Sequence, residues 1–563
     1  MKKNFFKKAL ALALCALTAT STVACGGGGN EGGGIGGEKI DANKTQLNVF
    51  HYFAGFGDEW LIELKKNFEE KYANVSFEEG KMGVQVHHRG EMRDFTPTQV
   101  KTEQFDVYFM ESPSDFLNIM AEGSVEPLDS IMETPNPDDN NQTIVEKMTA
   151  QQIGFYKFKD GHYYGIPHYA GNYGLIYNRD LFEEKGFFLA AEEDEDGNIL
   201  ITPENPTKSV GPDGKAGTED DGLPRTYDEF FALCEEIDAR GVDPVCFPGM
   251  YTQQHLMLLM DNLVANHEGG EQIAIGYTFS GTAENLVVFN EDGTVKKNAD
   301  GTPVTESLEI TEANAYELAR QEGRYYGMQF LVKLLSNKAY YNEADGENDQ
   351  ISHTVNQQNF LENGKLGLRQ SAMLADGTWW QIEADDVFNY MAEEDKKWAK
   401  ENRKFGWLPL PQATEEEAAK IASGEKKSTF CDYLNAVSCI KSGLSDGVKK
   451  AALEFLKYTY TDEALANFTY TTGTTVGVEY LDAVDRSRLN YYETSLVNYL
   501  EASDIAYHVP GSDRYARNIK SLMPAAMYGS GIFTTLERAV WDAGVTADEY
   551  FIGHQAFYKG CAW

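Results

Sequence analysis

Two rhythms of apolar and polar positions alternate along this chain. Gln46–Phe53 (QLNVFHYF), Phe105–Met110 (FDVYFM), Tyr173–Tyr177 and Tyr433–Ile440 are short, nearly continuous apolar runs. Runs of this length, rich in β-branched and aromatic residues, predict buried strands. Between them the period lengthens. Trp60, Leu61, Leu64, Phe68 and Tyr72 recur three or four residues apart within Asp58–Tyr72, which predicts an amphipathic helix. Val448–Tyr458 reads the same way. Another helix is expected from Thr226, where Glu229 completes a capping-box pattern and Phe230, Leu233 and Ile237 share one face. Strand–helix alternation predicts α/β domains with largely parallel sheets. Such sheets take ligands in the loops beyond the carboxyl ends of their strands.

Two acidic, glycine-rich stretches, 192–222 and 290–305, break the pattern and are expected to be surface insertions. Asp194-Glu195-Asp196-Gly197-Asn198 is similar to the start of a calcium loop, but Ile199 stands at the glycine position and Asn205 at the final glutamate position. Gly211-Pro212-Asp213-Gly214 with Asp220 and Asp221 is a second candidate. A structural calcium and a solvated Asp/Gly turn both fit these stretches. No other cofactor is expected.

The amino-terminal end has its own logic. Lys2, Lys3, Lys7 and Lys8 precede an apolar run from Ala9 to Leu17, then small residues lead to Cys25. This is the layout of a secretory signal over residues 1–24. Thr22-Val23-Ala24-Cys25 resembles a bacterial lipobox, with Thr22 where leucine is usual. Cys25 is then the lipidated residue, palmitate-type chains anchoring the protein to the outer face of the cytoplasmic membrane. Nine of the twelve residues from Gly26 to Gly37 are glycine, so 25–44 reads as a flexible tether.

Charge narrows the partners. The 563 residues carry 49 Lys+Arg against 88 Asp+Glu, a net charge of −39, which repels nucleic acid and anionic lipid alike. Membrane association is therefore expected through the lipid anchor alone. Cys234, Cys246, Cys431, Cys439 and Cys561 form no CxxC. Cys431 and Cys439 fit either a pair or two small buried hydrophobes. The sequence has no G-x-S-x-G, H-E-x-x-H or P-loop motif. His87 and His88, adjacent on a strand, point to opposite faces and make no metal pair. With so many acids, composition leaves a glycosidase carboxylate pair open, and spacing nominates none.

Tyr164–Gly186 (YGIPHYAGNYGLIYNRDLFEEKG) resembles the "G-x-P … YN-x-D-L-F" signature of the family 1 extracellular solute-binding proteins. These are the maltose-binding-protein-like, carbohydrate-binding subunits of ABC importers. Further pieces follow in family order. Leu223–Phe230 is similar to "P-x-T-W-D-E-F", with Tyr227 for the usual Trp. Ser371–Met373 and Gly377-Thr378-Trp379 resemble "A-A-M … G-x-W", Trp407–Pro411 a strand ending "P-x-P", and Ala452–Gly473 "A-x-E-F-L-x-Y … T-D-E … T-G".

The resemblance implies an α/β, two-lobed periplasmic-binding-protein-like (type II) fold with three hinge crossings, near 167–174, 433–437 and 472–478. Lobe one would comprise 45–170 and 437–473, and lobe two 174–433 and 474–563. It also implies a ligand, a mono- or oligosaccharide, held between the lobes and delivered unchanged to a membrane permease, with the protein acting as a monomer and not as an enzyme. On lobe one the loop 54–60 lies at the carboxyl end of the first strand and offers Asp58 and Trp60 as candidate contacts, and the contacts that the resemblance implies are Glu111 and Asp115, with Tyr169 and Asn172 at the first hinge. On lobe two they are Tyr251, Gln253, Asp376, Trp379 and Tyr528, whereas His255 is expected on a helix surface. Trp60 also reads as a core residue of its helix face. Alternatives are a secreted glycan-degrading enzyme, a surface sensor or adhesin, and a binding protein for a peptide or polyamine.

Overall fold

The computed structural model describes residues 35–507 and 535–560, apart from 112, 196 and 433–435. Strands are numbered along the chain. The first sheet has the order β2–β1–β3–β12–β4, from β1 (Thr45–Tyr52), β2 (Val84–Glu91), β3 (Val107–Glu111), β4 (Ile166–Pro167) and β12 (Ala436–Ile440). β1 is parallel to β2 and β3, and β12 runs antiparallel to β3. Leu47, Val49, Phe50 and Val107–Met110 are all buried, covered on both faces, which is why these strands read as unbroken apolar runs. Helix Glu59–Lys71 lays Trp60, Leu61, Leu64 and Phe68 on this core. Phe455, from helix Asp446–Thr459, meets Phe68 edge-on at 5.1 Å. His87 is buried against Gln46 and His88 turns toward Asp58, on opposite faces of β2.

The second sheet has the order β10–β5–β9–β6, from β5 (Tyr173–Asn178), β6 (Asp243–Cys246), β9 (Ser371–Gly377) and β10 (Phe405–Leu408). β6 and β9 are parallel, but β5 is antiparallel to both β9 and β10. The expectation of a largely parallel sheet is corrected here. β5 emerges directly from a crossing and runs away from the first sheet, while its neighbours run back toward it. Helix Tyr227–Ala239 buries Phe230, Leu233 and Ile237 as the pattern predicts. Only half of the expected capping box forms. The Thr226 hydroxyl accepts from the Glu229 N–H at 3.2 Å, but the Glu229 carboxylate takes the Arg225 N–H at 2.6 Å and its guanidinium instead.

Residues 168–172 lead from β4 to β5. β11 (Thr429–Asp432), which pairs in parallel with β13 (Asp504–Tyr507), leads back to β12. A third connection passes through Thr474–Val484, where Tyr169 bridges Val476. Val476, Val478, Tyr480 and Val484 pack in the first core, beyond the 473/474 border expected from sequence. The Tyr480 hydroxyl fastens this stretch, standing 2.6 Å from the Thr469 hydroxyl and accepting from the Val476 N–H at 3.0 Å.

The second insertion extends a hairpin, β7 (Gly281–Val287) and β8 (Thr305–Ile310), by further bridges at Phe289–Val295 and Lys297–Pro303. In the first insertion, Asp220 accepts from the Asp213 N–H and the Thr218 hydroxyl at 2.8 and 2.6 Å, so the loop spends this carboxylate on its own backbone turn. Among the described residues no group of three or more His, Cys, Asp or Glu side chains gathers as a metal site. Cys234, Cys246, Cys431 and Cys439 are buried free thiols, which removes the Cys431–Cys439 pair as an option; Cys561 lies outside the described residues. No described helix is long and apolar enough to cross a membrane.

The first core also buries two histidines. His168 lies 4.9 Å from Trp60 and 4.5 Å from Phe109, and His51 lies 6.0 Å from Trp60. Burial pushes their pKa values down, to about 3 for His168 and about 4 for His51. Both are neutral in the native state, whereas unfolded histidine titrates near 6.5. Their contribution is therefore complete above pH 6.5 and is lost progressively as pH falls toward 4, at up to about 1.4 kcal/mol per pH unit for each. Urea midpoints should fall across this window, and less steeply in His168→Phe than in the wild type. Equal slopes would contradict the assignment.

Candidate functional site

The strand ends that face one another across the connections carry the polar side chains. Glu111 closes β3. Its carboxylate accepts hydroxyl bonds from Tyr169 and Tyr52. Burial raises the Glu111 pKa, and the two hydroxyl donors oppose that rise. The Tyr52 hydroxyl is in turn pushed up to about 12, by burial and then by the Glu111 charge. Phe56, in the loop after β1, meets the Tyr169 ring edge-on at 4.8 Å.

On the opposing side Trp379 follows the end of β9 and precedes the short helix Trp380–Glu383. Its indole lies over Gly377, where a Cβ would come within 2.5 Å of the ring. It stands edge-on to Tyr173 at 5.6 Å and also packs against the first core. Asp376 is 1% exposed and accepts from the Gly377 N–H at 2.7 Å and from Gln357 Nε2 at 3.0 Å. The same Gln357 amide donates to Glu383 at 2.7 Å, and His353 Nε2 lies 3.4 Å from Glu383. Burial drives the Asp376 carboxyl up to about 7, and the Glu383 charge adds to the rise. The bond to Glu383 raises His353. The two sides touch at Gly55: Glu383 Oε1 stands 2.7 Å from where a Cβ would sit.

Of the residues nominated from sequence, Glu111 and Tyr169 meet each other on the first side, and Asp376 and Trp379 stand together at the end of β9 on the second. Asn172 is buried beside them. Its carbonyl accepts from the Thr378 N–H at 3.0 Å, while its side-chain amide has no partner among the described residues. It borders a groove of about 420 Å³ behind the crossings, together with Thr475 and Tyr507. Tyr251 and Gln253 line a separate hollow, with the Tyr251 ring 5.6 Å from His353.

Other nominations need correction. Trp60 is a core residue, 4% exposed among His51, Phe109, His168 and Phe468. It shares the buried face of its helix with Leu64 and Phe68, so no ring face is left for a ligand. Asp58 precedes that helix without capping it and turns its carboxylate toward His88 on the outer strand β2, 3.4 Å away. His255, expected on a surface, is 3% exposed: Nδ1 donates to the Ala375 carbonyl at 3.1 Å, and Nε2 lies 3.2 Å from the Tyr173 hydroxyl. Asp115 belongs to helix Pro113–Ala121, but its side chain, like Tyr528 and Cys25, lies outside the described residues.

Sequence reasoning missed Tyr52, Tyr173, His353, Gln357 and Glu383. One signal was available. His353 and Gln357 are four apart just behind the N-cap Ser352, a polar pair on one face of helix His353–Leu366. Together these groups offer hydroxyl-bonding carboxylates, an amide, an imidazole and aromatic rings.

The model of the bacterial extracellular solute-binding protein family matches residues 30–322, more than half of the chain. The chain belongs to this family. No individual curated protein matches this solute-binding protein in sequence. Its structure is similar to apo RafE from Streptococcus pneumoniae, at 14% identity, covering 92% of this chain and 98% of that one, with a TM-score of 0.53. It is similar to a chitin oligosaccharide binding protein at 15% identity, 92% and 99% coverage and a TM-score of 0.51. The cyclic α-maltosyl-1,6-maltose binding protein of Arthrobacter globiformis matches at 13% identity, 91% and 97% coverage and a TM-score of 0.50. At these identities the likeness is one of fold, the two-lobed periplasmic-binding-protein-like architecture expected from sequence.

Gly55 is the residue that lets the two sides of this solute-binding protein touch. Gly55→Leu puts a branched side chain where Glu383 lies. Small-angle scattering should then give a larger radius of gyration than the wild type, with cooperative unfolding retained. An unchanged radius would show that the contact does not set the spacing.

Proposed function

We propose that this solute-binding protein captures a mono- or oligosaccharide between its two lobes and hands it, chemically unchanged, to the permease of an ABC importer. Trp379 carries the reading. It is an indole at the end of a second-sheet strand, set against the first core and flanked by Asp376 and Glu383. A sugar presents C–H faces that rings cover and hydroxyls that carboxylates and amides bond. Left unpaired, such buried groups would each cost about 1–3 kcal/mol, so a hydroxyl-rich ligand is selected over an apolar one. Two of the fold relatives are oligosaccharide binders by name, which supports the same class. The signal layout and the lipobox-like segment ending in Cys25 support a protein tethered by lipid to the outer face of the cytoplasmic membrane, where a tether keeps local concentration high.

A thermal-shift panel of neutral mono- and oligosaccharides, peptides and polyamines tests this. A ligand at 100 times its dissociation constant adds about 2.7 kcal/mol of stability, so a binder is readily seen. A shift is expected with at least one neutral saccharide, and Trp379→Ala should weaken it by about 30-fold or more while the protein still unfolds cooperatively. A response to a peptide or polyamine, with none to any saccharide, would overturn the proposal.

A further inference from the structure

The groove behind the crossings has chemistry of its own. Its volume of about 420 Å³ falls within the range of about 300–1,000 Å³ usual for small-molecule sites. None of Glu111, Asp376, Trp379 and Glu383 lines it. Its walls come from both bodies. Phe430 belongs to the core beside the second sheet, and Val476, Val478 and Tyr507 belong to the first core. β11 and β13 join the two walls, with Asp432 opposite Tyr507 in their ladder.

Two features mark this groove as built for a ligand. The first is the Asn172 side chain. It is 1% exposed, and neither its Nδ2 nor its Oδ1 has a hydrogen-bond partner among the described residues. A buried amide so placed keeps its desolvation cost until something supplies the missing bonds. The second feature is charge. The described lining holds the carboxylates of Asp432, Asp462, Glu479, Asp482 and Glu501, and neither lysine nor arginine. Two of these are paired from outside the lining, Asp462 with Lys147 and Glu501 with Arg486. Glu479 and Asp482 are exposed at the surface. Asp432 is 1% exposed and accepts from the Gly171 N–H at 3.2 Å. Burial, and after it the Asp432 charge, holds the Tyr507 hydroxyl well above its ordinary pKa, so that charge is felt at the opposite strand. Such a groove repels an anion. Asp432 and Asn172 Oδ1 are acceptors suited to a cation that carries N–H donors, and Phe430 and Tyr507 offer rings to its apolar part.

We propose that this groove binds a small organic amine, protonated and carrying an apolar body. The ammonium donates to Asp432 and to Asn172 Oδ1, and the body lies between Phe430 and Tyr507, so the ligand touches both cores at once. A hydroxyl on the body takes the bond that Asn172 Nδ2 offers. This second site stands whether or not a saccharide fills the cleft.

Titration calorimetry on the full, folded chain tests this with three probes of one shape: phenylglycinol, an amine; styrene glycol, the matching neutral diol; and mandelate, an anion. Phenylglycinol should bind about tenfold more tightly than styrene glycol, or better, and mandelate should not bind. Ile505 lines the groove at 37% exposure, so Ile505→Arg puts a cation there from an open position. It should abolish phenylglycinol binding with the melting temperature unchanged. Asn172→Leu should weaken phenylglycinol by about tenfold, while the free protein melts no lower than the wild type, because an unpaired buried amide gives way to an apolar group of similar size. Trp379→Ala should leave phenylglycinol affinity within about twofold. No binding of phenylglycinol, equal binding of all three probes, unchanged affinity in Ile505→Arg, or loss of affinity in Trp379→Ala (which would put the amine in the cleft) would each overturn the proposal. Saccharide binding without amine binding overturns this inference alone, and amine binding without saccharide binding overturns the saccharide reading alone.

Discussion

One amide, that of Gln357, holds two carboxylates together, and the geometry of the cleft depends on it. Asp376 and Glu383 both accept from Gln357 Nε2, at 3.0 and 2.7 Å. Burial bears on only one of the two carboxylates with a visible effect. Asp376 is covered and its carboxyl moves up to about 7. Glu383 is partnered by His353, whose pKa the bond raises, at the edge that meets the other lobe. There it needs space, and Gly55 supplies it by having no side chain.

Among the described residues, few polar contacts are made where the two cores meet. The Thr378 N–H and the Asn172 carbonyl, the Thr378 and Thr474 hydroxyls 3.1 Å apart, and the Tyr169–Val476 bridge lie at the crossings. Aromatic and apolar contact supplies the rest, with Trp379 reaching from the second sheet onto the first core. Contact of this kind is non-directional and tolerates a change of spacing better than a hydrogen-bonded sheet would. Trp379 therefore touches both bodies, Tyr173 on its own side and the first core on the other.

How far this was legible from sequence varied with the physics involved. The buried strands and the helix Glu59–Lys71 were clear because burial on one or both faces writes a period into the residues themselves. The direction of β5 was not, because an apolar run carries no sign of which way its neighbours point. Trp60 was legible only as part of its helix face, and that local face placed it in the core, against the role suggested by its loop at a strand's carboxyl end. Trp379, by contrast, was found by the motif at Gly377-Thr378-Trp379 and not by periodicity. Gln357 and Glu383 come from separate helices, and only tertiary packing brings them to Asp376. The Glu229 carboxylate shows the same limit on a smaller scale. A spacing rule predicted its partner, and the adjacent Arg225 outcompeted it with a charge.

Those same two carboxylates bear on whether the cleft can cut a glycan. A retaining glycosidase sets its two carboxyl groups about 5–5.5 Å apart, one raised in pKa to act as acid. Asp376 and Glu383 are as near as one shared donor makes them, and Asp376 is raised. Proximity and a shifted pKa alone do not make an acid catalyst, since the group must also reach the leaving oxygen. Asp376 is 1% exposed, with its oxygens turned to Gln357 and to its own strand end at Gly377. Its raised pKa is the consequence of being covered, and what it does from that position is hold Gln357, and through Gln357 hold Glu383, against Gly55 of the other lobe.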